Sequence, residues 1–148
     1  MNESIKKINY FEFIIEKEIN KFSKLAVFEN MINVTSKYSE NSPEIFDLQF
    51  TINEENMNLL LDTVNKLQLK KWKKSYCNYK VKNGKYWSLK IMFNDNKTPK
   101  SFYGINEYPI IYDGITGLRP FSSTSYSTEF TLLLKNLNKI SGKRSLFK

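Results

Sequence analysis

The hydrophobic pattern of this chain changes period near residue 53, and that switch limits the folds open to it. From Glu44 to Ile52 the apolar positions alternate through Ile45, Leu48, Phe50 and Ile52. Beyond the switch, Met57, Leu60, Leu61, Val64 and Leu67 recur at i, i+3, i+4, i+7 and i+10. A strand shows every second residue to one face and a helix every third or fourth, so the chain must combine the two. Thr51 with Glu54 has capping-box spacing, and Asn53 competes with Thr51 as the N-cap. Either choice puts Glu54 and Glu55 in the first turn and Lys66 and Lys70 near the end, as the helix dipole favours.

The segments around this helix follow the same logic. Upstream, Asn9 to Ile19 and Leu25 to Val34 are rich in aromatic and β-branched residues, and Asn41-Ser42-Pro43 separates them from the third run. Three antiparallel strands are the simplest account. Downstream, Tyr76 to Lys82 and Tyr86 to Phe93 flank Asn83-Gly84, a hairpin signal. Asn94-Asp95-Asn96 makes the next turn, with Lys100 to Gly104 returning as partner. Phe130, Leu133, Leu134, Leu137 and Ile140 repeat the helical spacing, capped by Ser127 and stopped by Gly142. The expected fold is a single α+β domain, an antiparallel sheet of about five strands with two helices on one face, in the order βββ-α-ββ-α. Residues 110–125 read as an inserted loop and residues 143–148 as a frayed basic tail.

Composition sets the class. At 148 residues, with 41% hydrophobic and 15% aromatic residues, the chain is long enough to bury a core without staples. Its one cysteine, Cys77, can form no intramolecular disulfide, which makes a reducing, cytoplasmic setting the expectation. The longest apolar runs fall far short of the ~20 residues that span a bilayer, so no membrane partner is expected.

Histidine is absent. That removes the commonest general base, the commonest metal ligand and the Ser-His and Cys-His nucleophile pairs. One cysteine cannot build a zinc site, and the glycines at 84, 104, 114, 117 and 142 match no phosphate-cradling loop. Neither a metal nor a cofactor is implied. Asp95, Glu107 and Asp113 are the carboxylates left for a histidine-free enzyme. The competing reading makes Asp95 and Asp113 turn residues and Glu107 a solvated one, and nothing in their spacing forces convergence. No catalytic residue is assigned.

Charge is distributed unevenly. Residues 1–62 carry six basic and eleven acidic groups, net −5. Residues 63–94 hold nine lysines and no acid, net +9, and the remainder is +4. Trp72, Tyr76, Tyr79, Tyr86 and Trp87 interleave with those lysines, a composition suited to single-stranded nucleic acid. The structural alternative places the tryptophans in the core and leaves the lysines on a solvated edge. Arginine, the better bidentate reader of phosphates and bases, occurs only at 119 and 144. A second candidate surface is the aromatic-rich insert, where Tyr112, Arg119 and Phe121 have the composition of a protein hot spot.

Three pieces of the chain resemble a known pattern: Leu69-Lys70-Lys71-Trp72, the run Asn83-Gly84-Lys85-Tyr86-Trp87-Ser88-Leu89-Lys90-Ile91, and Gly104-Ile105-Asn106-Glu107-Tyr108-Pro109. In order and spacing they resemble an uncharacterised family of small proteins of low-GC bacteria, over roughly a third of the chain. The resemblance implies a fold and no chemistry. In that family the last helix follows the proline directly, whereas here residues 110–125 intervene.

These observations lead to an expectation of a non-enzymatic interaction protein that docks on a protein or nucleoprotein partner. A phage-type inhibitor of a bacterial defence complex, or an immunity protein, is compatible with it. The alternative is a nucleic-acid-binding module using segment 66–90. The contact residues expected are Lys70, Lys71, Lys73, Lys74, Tyr76, Lys80, Lys82 and Lys85, with Tyr112, Arg119 and Phe121 of the insert.

Overall fold

The structure is a computed structural model that describes residues 4–18, 21–37, 46–77, 85–109, 122–123, 127–142 and 146–147. Four strands open the chain: β1 (Ile8–Glu18), β2 (Lys21–Phe28), β3 (Met31–Lys37) and β4 (Phe46–Thr51). Helix α1 (Glu54–Leu67) follows, then a 3₁₀ turn (Leu69–Lys71) and strands β5 (Ser75–Cys77), β6 (Tyr86–Phe93) and β7 (Lys100–Ile105). Short strands β8 (Tyr108–Pro109) and β9 (Ser122–Ser123) precede α2 (Thr128–Ser141).

The fold is α+β, with one open mixed sheet in the order β4-β3-β2-β1-β6-β7-β5 and a small β8-β9 pair. The sheet has seven strands where about five were expected. One extra strand comes from the run Leu25 to Val34, which is two strands joined by a tight turn, with Phe28 opposite Met31. Glu29 takes φ 55° there, so the reversal uses a left-handed residue other than glycine. The sheet is also not wholly antiparallel. β5 lies parallel to β7 rather than forming a hairpin with β6, so the Asn83-Gly84 hairpin reading fails on the pairing of its flanking strands. Residues 83 and 84 themselves lie outside the described residues.

Register explains the core. Phe11, Phe13 and Ile15 of β1 stand beside Val27, Leu25 and Ser23 of β2 and beside Ile91, Leu89 and Trp87 of β6, all buried. The stripes Leu60, Val64, Leu67 and Phe130, Leu133, Leu137, Ile140 join this row in one continuous cluster. Full burial of each such side chain contributes about 1.5–3 kcal/mol. The helices meet through a buried polar pair in which Asn136 Nδ2 donates to Thr63 Oγ1 at 2.8 Å. Asn53 is the N-cap of α1, its side chain accepting from the Asn56 N–H, while Ser127 caps α2 and Gly142 ends it at φ 74°.

The chain's last described residues correct the expectation of a frayed tail. Phe147 is 1% exposed against the Phe13 ring, and its backbone N–H and C=O both bond the Asn138 side-chain amide. Leu146 C=O accepts from the Ser23 hydroxyl. An apolar pair carried back onto the sheet outweighs the charge around it. The insert reading falls almost wholly outside the described residues, although Ser122–Ser123 pair back onto Tyr108–Pro109.

Candidate functional site

The lysine segment begins where α1 stops. Gln68 takes φ 50°, turning the chain out of the helix while its N–H bonds back to Asn65 C=O. From there buried anchors alternate with lysines. Leu69 is 6% exposed, Trp72 8% and Tyr76 4%, whereas Lys70, Lys71, Lys73 and Lys74 all lie on the exposed side. The anchors are bonded as well as packed. Trp72 Nε1 donates to Leu67 C=O at 2.8 Å, and the Lys73 N–H donates to the Tyr76 hydroxyl at 2.7 Å. With the backbone fixed between these points, the four lysine side chains lie outside the core, where their charges keep their solvation. The dipole of α1, roughly half a charge at its C-terminus, is too small to account for such a cluster.

Three of the interleaved rings do not join them, and Tyr79 lies outside the described residues. Trp72 packs edge-on against Trp87 and Phe102 at 5.9 and 5.4 Å, and Tyr76 lies 6.0 Å from Trp87. Burial pushes the Tyr76 hydroxyl above its ordinary pKa, the Lys73 N–H opposing this. Tyr76 was an expected contact residue; its ring is instead spent on the core, with no face left for a base. Tyr86 is half-buried, and Tyr103 is exposed on the sheet face opposite the core. Lys85 is exposed, but it belongs to the Asn106 turn at the far end of β6 from the β6–β7 turn, which lies near Lys70 and Lys71. Lys80, Lys82, Tyr112, Arg119 and Phe121 lie outside the described residues.

Sequence reasoning missed what the lysines surround. A groove of about 400 Å³ runs between residues Ser4–Ile5, the end of α1 and the β6–β7 turn, with Lys70, Lys71 and Lys100 on its lip. A shallower neighbour shares Leu69, Lys70 and Lys100 and adds Lys74. Among the described residues, no carboxylate lines either one. Two asparagines hold the Ser4–Ile5 wall in place. Asn65 Oδ1 accepts from the Ile5 N–H at 2.8 Å, and Asn65 Nδ2 donates to Ile5 C=O at 2.9 Å. Asn94 Oδ1 accepts from the Lys6 and Lys7 N–H groups, while its Nδ2 donates to Ser4 C=O. Both bridge positions 60 or more apart in sequence, so no local signal announces them. Lys100 lies over the Phe93 ring, its Nζ 5.5 Å from the centroid.

The candidate carboxylates do not converge. Asp95 sits in the β6–β7 turn, exposed, where hydrogen bonds from Asn9 and Lys7 and the Lys7 charge hold it below its ordinary pKa. Glu107 lies beyond the other end of β6, half-buried rather than solvated, with Oε2 enclosed and without a hydrogen-bond partner among the described residues. Asp113 is outside the described residues. Cys77 is a half-buried free thiol at the end of β5. Among the described residues, no three Cys, Asp or Glu side chains are placed to hold a metal ion, and no helix is long and apolar enough to cross a membrane.

The Gly-x-Asn-x-Tyr-Pro stretch has a structural use at several positions. A Cβ on Gly104 would stand 2.3 Å from Trp87 Nε1 and 2.6 Å from Glu107 C=O, so only glycine seats the indole. Trp87 Nε1 donates to that carbonyl at 2.8 Å. Asn106, at φ 58°, exchanges bonds with the Lys85 backbone, and Tyr108 packs on Phe130 at 4.9 Å. No known protein-family model matches this chain, and no curated protein is similar to it.

Proposed function

We propose that this chain is a non-enzymatic binding protein of the cytoplasm that docks on an acidic face of a protein or nucleoprotein partner. An inhibitor or immunity role is one form such docking takes. The observation that carries the reading is the lip formed by Lys70, Lys71, Lys74 and Lys100 around adjoining grooves, with no carboxylate among the described residues that line them. Complementary charge of this kind speeds encounter and selects partners more than it adds affinity. A nucleic-acid module keeps the lysines but loses three of its five interleaved rings, since Trp72, Tyr76 and Trp87 are buried.

The test is capture by the tagged chain from its native lysate, with and without nuclease, beside the triple variant Lys71→Glu, Lys74→Glu, Lys100→Glu. The expected result is a defined protein set that survives nuclease and is lost with the variant, while circular dichroism shows the variant folded. Retention by the folded variant would overturn the reading. Loss of all partners on nuclease treatment transfers it to nucleic acid.

A further inference from the structure

The groove has two properties that a purely ionic surface does not need. Its floor contains Ile5, Leu69 and Phe93, which keep 8%, 6% and 7% exposure, so apolar surface is still open there. Its lip is cationic, with Lys70, Lys71 and Lys100 around that floor. Its volume, about 400 Å³, lies at the small end of ligand pockets, room for a few side chains.

We propose that this groove receives an acidic protein segment carrying one aliphatic or aromatic side chain flanked by aspartates or glutamates. The apolar side chain enters between Ile5 and Phe93, and the flanking carboxylates reach Lys71 and Lys100. The proposal rests on the basic-corner reading above and names the chemistry of its partner. A protein segment is favoured over nucleic acid for three reasons: the rings of Trp72, Tyr76 and Trp87 are buried, the lip among the described residues is lysine without arginine, and the floor is apolar. Anchoring by one buried side chain inside a charged rim is the usual anatomy of a binding hot spot.

The test uses the full chain and defined probes: polyglutamate, a random glutamate–tyrosine copolymer, and an oligothymidylate, each titrated at physiological salt. Two variants separate the ideas. Ser4→Trp with Asn96→Trp fills the groove from exposed positions and keeps every lysine. Lys71→Glu with Lys100→Glu keeps the groove and reverses its lip. The expected result is about tenfold tighter binding of the copolymer than of polyglutamate, the worth of one buried side chain. The groove-filled variant should lose that advantage yet still bind polyglutamate, and the charge-reversed variant should lose both. Equal affinity for the two polymers, or a groove-filled variant that behaves as wild type, overturns the groove proposal and leaves the basic-corner reading standing. Unchanged binding by the charge-reversed variant, or no binding to either polymer, sinks both. Preference for oligothymidylate with no response to groove filling assigns the lysines to nucleic acid.

Discussion

Strands β1 to β4 and strands β5 to β7 share one sheet, but the chain builds the two sides by different routes. On the first side each strand pairs antiparallel with the strand next in sequence, β1 with β2, β2 with β3 and β3 with β4. On the second side β6 returns to lie beside β1, more than seventy residues away in sequence at pairs such as Phe13↔Leu89, and β5 joins the far edge parallel to β7. The sides also differ in charge, because the acidic excess falls in residues 1–62 and the lysine run in residues 63–94. The locally paired side supplies a regular platform. The side closed by distant contacts carries the groove, because a recess needs walls from segments that the sequence keeps apart.

If the second side depends on distant packing, its largest weakness should be Trp87. The indole is fully buried against Trp72, Tyr76 and Phe130, seated on Gly104 and bonded to Glu107 C=O. Trp87→Ala is expected to cost about 3–5 kcal/mol, as large-to-small core changes do. Hydrogen exchange should show β7 amides losing more protection than those of β2 and β3; equal losses would break the proposed difference between the sides. Gly104→Ala should cost about 1–3 kcal/mol through overpacking. Most of that cost should vanish in a Trp87→Leu background, which a double-mutant cycle measures directly.

How much could be read beforehand follows the same division. Both helices were legible, including Asn53 as one of two offered caps, Ser127 and Gly142, because a helix is specified by contacts within a few residues. Strand β6 was legible from the alternation of Trp87, Leu89, Ile91 and Phe93. The hairpin inside Leu25 to Val34 was not: its turn, Glu29-Asn30, contains neither Gly nor Pro. Parallel pairing of β5 left no trace either, since three residues are too few to show a period. At the site, the lysines were plain and their anchors half so. Trp72 and Tyr76 interleave with the lysines as stacking rings would, and only burial tells the uses apart. Ile5, Asn65 and Lys100 could not be joined to the lysines by spacing, because three separate segments bring them together.

A smaller effect tests the wall of the groove. Asn65 holds Ile5 through two hydrogen bonds, and one more, from Nδ2 to Leu61 C=O, stays within α1. Asn65→Ala should cost about 1–2 kcal/mol, with the Ile5 N–H and C=O left to find water. Its signature is local: the Ile5 amide should exchange faster while β2 and β3 keep their protection. Loss of protection throughout the sheet would mean that the wall is part of the common core and not an attachment to it.

The smallest effect lies at the seam, on β1, which both sides share. Tyr10 faces away from the core, 6.4 Å from the Phe28 ring, and its hydroxyl donates to Glu12 Oε2 at 2.5 Å. Burial first, then that hydrogen bond and the Glu12 charge, push its pKa from 10.0 up to about 12. The folded chain therefore keeps a proton that the unfolded chain releases within that window, and stability falls as pH rises through it. Glu12→Gln removes the charge and should flatten the fall. Urea unfolding below and inside the window should show a smaller drop for the variant than for the parent. Ultraviolet titration of phenolate should move one tyrosine toward its ordinary range. Identical pH slopes would mean that the Tyr10–Glu12 contact does not persist in solution, leaving the seam to its backbone ladder alone.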